Sequence, residues 1–146
     1  MRINLMMIAA AAVFAAACSN GASQKNEKEV KAEQKFQALP FPDVQLPGVI
    51  SDQGDAMNYL AENYWNGLTQ TSRNYPCDSL YVSGVEKGTV EQKFADWTFV
   101  LDNVDISVAR KSVGKLYDLA YACEAANPSS NVFETFVELS QKYFYD

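Results

Sequence analysis

Polarity along the chain changes character twice. Leu5 through Ala17 is apolar without a break, Ser19 to Ala38 is polar and charged, and from Phe41 onward large apolar residues return at regular spacing. Within that last region Met57, Leu60, Ala61, Tyr64, Trp65 and Leu68 recur three and four positions apart, which predicts one face of a helix. Ser51 or Asp52 stands where its N-cap is wanted, and Gly67 reads as its stop. A second stripe, Val90, Phe94, Trp97 and Leu101, is widened by Phe99 and Val100, and Trp97 is expected in the core. Thr89-Val90-Glu91-Gln92 before it has the form of a capping box.

The third predicted helix carries Val113, Leu116, Tyr117, Ala120 and Cys123 on one face, with Arg110, Lys111 and Lys115 mostly opposite and Asp105 as its cap. Asn127-Pro128, a cap residue followed by proline, announces the last helix, which buries Val132, Phe133, Phe136, Val137, Ser140, Tyr143 and Phe144. Glu134, Glu138 and Lys142 share its exposed side at spacings of four. Between the first two helices, Thr69 to Gly88 is a long connection containing Tyr75-Pro76-Cys77 and Gly84. Leu80-Tyr81-Val82 is a short extended piece, not enough to predict a sheet. The fold class is therefore all-α, a small bundle of about four helices over residues 39–146.

Ahead of the bundle, Ser19 to Ala38 has only Val30 and Phe36 as large apolar residues and reads as a flexible tether. Leu39-Pro40-Phe41-Pro42 and Leu46-Pro47-Gly48 impose an extended entry, with the apolar residues packing along the domain. Thirteen apolar residues at Leu5–Ala17 are too few for a transmembrane helix, which needs about 20. With Arg2 before them they read as a signal peptide, residues 1–17. Ala15-Ala16-Ala17-Cys18 resembles the lipobox of bacterial lipoproteins, whose cysteine is acylated and becomes the new N-terminus; residues 18–38 would then be the lipidated cysteine and tether. Ala15 stands where that motif usually has Leu, and Ala15-x-Ala17 also satisfies an ordinary secretory cleavage site. Both alternatives export the chain. Ser19 is not the aspartate that typically retains lipoproteins at the inner membrane, which points to a lipid-anchored protein of the outer membrane.

Charge narrows the function classes. Without residues 1–17 the chain has eleven Lys and Arg against eighteen Asp and Glu, a balance opposed to nucleic-acid binding and to adhesion on anionic lipid. The chain has no histidine, which excludes Ser-His-Asp and Cys-His catalysis, His-ligated metals and a histidine pH switch. Cys77 and Cys123, in an oxidising compartment, are candidates for a disulfide; otherwise Cys123 is a small core residue and Cys77 a loop thiol. They form neither a CxxC redox motif nor a zinc-ribbon spacing.

Three groups of residues have chemistry that a plainer structural role also explains. Tyr64, Trp65, Phe94, Trp97, Tyr117 and Tyr121 have the chemistry to line a carbohydrate or peptide pocket, yet at helical spacing they read as core. Asp96, Asp102 and Asp105 crowd one helix end but lack a calcium-loop pattern, and cap or surface roles explain them. Glu134 and Glu138 sit on a face expected to be solvated, where neither carboxyl gains the desolvation that acid–base catalysis requires. No catalytic residue, metal or cofactor is assigned.

Tyr59-Leu60-Ala61-Glu62-Asn63-Tyr64-Trp65-Asn66, Thr89 to Asp96 and Phe136 to Asp146 resemble an uncharacterised helical domain that typically precedes a thioredoxin-like domain in bacterial envelope lipoproteins. The resemblance covers about Leu46 to Asp146; the family usually has histidine where Asn63 stands and a shorter stretch before Thr89. It implies context, a thioredoxin-like thiol–disulfide system as associate, and no catalytic residue. The expectation is a non-catalytic cell-envelope lipoprotein module; the alternative is a helical module binding a peptide, glycan or outer-membrane partner.

Overall fold

A computed structural model describes residues 36–70 and 78–145. It contains four α-helices, α1 (Gln53–Asn63), α2 (Lys87–Asp102), α3 (Ile106–Ala126) and α4 (Val132–Phe144), and one small hairpin of β1 (Tyr81–Val82) and β2 (Val85–Glu86). The all-α bundle read from the periodicity is the observed architecture. The longest helix, α3, packs against α1 and α4, and α2 touches the other three.

The start of α1 follows its local signal: Asp52 is extended and accepts the Asp55 N–H at 3.0 Å. Its end does not. The helix stops at Asn63, and Gly67 lies in the following turn, pressed on the entry segment. A Cβ at Gly67 would sit 2.7 Å from Pro42 Cβ and 3.1 Å from its carbonyl oxygen, so the missing side chain is what lets the two segments close up. That entry begins packing at Phe36, inside the stretch read as tether, where its ring meets Tyr81 edge-on at 4.8 Å. Leu39 and Phe41 pack partly buried on the core.

Trp65, in the turn after α1, is the hub of the interior. Phe41, Tyr64, Phe94, Trp97 and Phe136 all place ring centroids within 6.0 Å of it. Such edge and tilted contacts suit the ring quadrupole and add to the area buried. Trp97, Phe94 and Phe136 have no exposed surface, as the second and last stripes lead one to expect.

Two helix starts depart from their sequence signals. Ser83 (φ 48°) and Gly84 (φ 79°) are both left-handed, the requirement of the tight two-residue turn that pairs Val82 with Val85. The resulting β2 runs straight into α2, and the Lys87 N–H is taken by the Leu80 carbonyl at 2.9 Å. The helix therefore opens two residues before Thr89, which is not its cap; Gln92 instead donates to Asp96 at 3.2 Å. Likewise Asn127-Pro128 opens a 3-10 turn over Pro128–Ser130, with Asn127 accepting from Ser129 N–H. At the true start of α4, Asn131 is left-handed (φ 53°), and its side chain turns away to donate to the Asp78 and Tyr81 carbonyls. The cap comes from another helix: Glu124 on α3 accepts the Phe133 N–H at 2.8 Å and the Glu134 N–H at 3.3 Å.

Candidate functional site

Of the cysteines singled out, Cys18 and Cys77 lie outside the described residues, and Cys123 is a free thiol on the inner face of α3, 1 % exposed. Burial pushes its pKa up, opposed by the nearby hydroxyls of Ser130 and Ser83. Both serines are fully buried and their hydroxyls find no conventional hydrogen-bond partner, so the small polar cluster is sealed inside the bundle. A thiol that is protonated and closed off from solvent is a poor nucleophile.

The aromatic stripe, read as core throughout, is core only in part. Trp65, Phe94 and Trp97 are core, Tyr64 and Tyr117 are half-buried, and only Tyr121 is largely exposed. Tyr64 has its pKa pushed up to about 12 by burial and by the negative charges of Asp96 and Asp43. It is a neutral phenol under any physiological condition.

Asp96, Asp102 and Asp105 are exposed, and no cluster among the described residues has the ligands for a metal ion. Asp105 stands at the cap position of α3 without bonding through its side chain. Glu134 and Glu138 are exposed, as their helical face predicts. The expected Glu138–Lys142 pair along α4 does not form. Glu138 pairs with Lys87 at 2.7 Å and Lys142 with Glu91 at 2.5 Å, two links from α4 to the α2 segment. Hydrogen bonding from Lys142 holds the Glu91 carboxyl below its usual range.

What the stripes did not reveal is an open apolar groove of about 340 Å³ where three helix ends meet. Leu101 of α2, Ile106, Ala109, Arg110 and Val113 of α3, and Phe144 of α4 line it. Ile106 is 70 % exposed and Phe144 39 %, and Tyr145 just beyond is more exposed still. The one available signal was an isoleucine directly after the Asp105 cap, off the buried face of α3. A second hollow of about 200 Å³ is polar and bridged by the Lys87–Glu138 pair; a third, between Tyr121 and Phe133, borders the Glu124 cap. The second is accounted for by that ion pair, and the third is lined mainly by the apolar surface of Tyr121, Ala125, Pro128 and Phe133. Among the described residues, no helix is long and apolar enough to cross a membrane.

A family model described as "Domain of unknown function (DUF5106)" matches residues 17–146. No curated protein and no solved structure matches the chain.

Proposed function

We propose, since the chain belongs to the family of that domain of unknown function, that it acts as a non-catalytic docking module of the bacterial cell envelope. In this reading Cys18 carries the lipid anchor at the outer membrane, and a thioredoxin-like protein is the first candidate partner. The groove at the ends of α2, α3 and α4 carries the docking role: an apolar hollow with Ile106 and Phe144 in water is the kind of surface that partners cover. The sealed thiol of Cys123 is consistent with it, because thiol chemistry would then reside in the partner. The thioredoxin association rests on the resemblance alone. Of the alternatives, the apolar lining favours a peptide over a glycan, which needs several polar partners.

The test places a photoreactive amino acid at Ile106 in the full chain, expressed in its own bacterium, with a control at Gln53 on α1. Cross-links from Ile106 and not from Gln53 to a thioredoxin-like protein, recovered with membranes, support the proposal. Disulfide reduction of insulin by the purified chain, abolished in Cys123→Ser, would overturn it and make the chain an oxidoreductase.

A further inference from the structure

We infer that the groove takes an apolar protein segment bearing a single carboxylate, seated so that the carboxylate meets Arg110. The inference deepens the docking reading above and rests on it. Lys87, Lys93, Lys111 and Lys142 are each in an ion pair, and Lys115 donates to Asn63 at 3.1 Å. Among the described residues Arg110 is the one Lys or Arg side chain with neither, and it stands on the lip of the more apolar of the two mainly apolar hollows described above. A guanidinium offers a planar fork of donors that matches a carboxylate, and its stem can lie along apolar surface.

The remaining surroundings restrict the ligand further. Asp102 and Asp105 are exposed near the same α2–α3 turn, so a segment with several acidic residues would be repelled. At about 340 Å³ the groove is near the lower end of the ~300–1,000 Å³ typical of ligand pockets, room for a few side chains and not for a whole helix. Its open form leaves an alkyl chain half in water, whereas lipid-type ligands are usually buried over most of their surface. The acidic balance of the chain also opposes an anionic bilayer. A short protein segment, two or three apolar side chains around one Asp or Glu, fits these limits.

The probes are acetylated, amidated hexapeptides, Leu-Leu-Glu-Ala-Leu-Leu and its Gln and Lys counterparts. They are titrated into the mature chain carrying Cys18→Ser, with amide NMR shifts as readout. Shifts should map to Leu101, Ile106, Val113 and Phe144 and vanish in Ile106→Asp. Because Arg110 is exposed, the Glu peptide should bind only about three- to fivefold tighter than the Gln peptide at low salt, and the gain should shrink with added salt. Arg110→Gln should erase that difference and Arg110→Glu should favour the Lys peptide. Equal binding of Glu and Lys peptides in the groove overturns the carboxylate and leaves the docking reading standing. No peptide shifts together with no cross-link at Ile106 overturns both. Self-association abolished by Ile106→Asp would replace the segment with a second copy, and Ile106-dependent binding to zwitterionic vesicles would replace it with a membrane.

Discussion

The indole N–H of Trp97 donates to the backbone carbonyl of Ala61 at 3.0 Å, tying the middle of α2 to the last turn of α1. Ala61 is among the final four residues of α1, whose carbonyls lack a partner within the helix. Trp97 therefore fills the core and satisfies a helix end at once. Trp97→Ala should cost about 3–5 kcal/mol in a denaturant titration, the range of large aromatic truncations. A loss below about 1 kcal/mol would contradict its burial. Trp97→Phe should lie between, because it keeps most of the ring and removes only the donor.

Gly67 is held against Pro42 by the lack of a side chain. Gly67→Ala would drive a Cβ into the proline ring and its carbonyl oxygen, and backbone on both sides leaves little room to relax. The expected penalty is about 1–3 kcal/mol, typical of overpacking. Protease nicking near Leu39 and Phe41 should rise with it, since the entry segment loses its seat.

Tyr64 supplies the clearest pH dependence. Its folded pKa is pushed up to about 12 from the ordinary 10.0, so the unfolded chain releases this proton first as pH rises. Between about pH 10 and 12 the unfolded state thus binds fewer protons, and stability contributed by neutral Tyr64 falls across that window. Denaturation at pH 9, 10, 11 and 12 should show the loss, and Tyr64→Phe should make the curve shallower. An unchanged slope in the variant would mean that the phenol is better solvated than its neighbours imply.

Cys123 should resist a soluble maleimide at pH 8 while the protein is folded, at a rate at least about 100-fold below that of the unfolded chain, because a buried, protonated thiol is a poor nucleophile. Intact mass after unfolding and alkylation without reductant addresses the bridge to Cys77. The free thiol seen here leads one to expect alkylation at Cys123. A mass lower by two hydrogen atoms and no uptake at either cysteine would establish the disulfide instead.

Anchoring is tested outside the bundle. The full chain should fractionate with membranes and Cys18→Ser should not, if the thiol is acylated. Wild-type protein found free in the periplasm would mean that the ordinary cleavage site after Ala17 is used.

Phe99 and Phe144 at the stripe edges are exposed, but the centres of the buried stripes were legible in the sequence, because which side chains share a helix face depends on their spacing along the chain. That is why Trp97, Phe94, Phe136, Leu116 and Ala120 reach the core where the periodicity puts them, and why Asp52 caps α1 with its own carboxylate. Tertiary structure decided the features that join distant segments. Two residues per strand carry no period, so the hairpin at Tyr81–Glu86 depends on the left-handed Ser83-Gly84 turn and on its bonds to Leu39 and Ser130. That hairpin, in turn, overrode the Thr89 capping signal. Lys142 abandons its helical neighbour Glu138 for Glu91, and Glu124 caps α4 from α3, because packing brings those oxygens nearer than the local ones. The groove belongs to the same class. Leu101, Ile106 and Phe144 are unremarkable on their own helices, and only the meeting of three helix ends leaves a hollow between them with Arg110 at its lip.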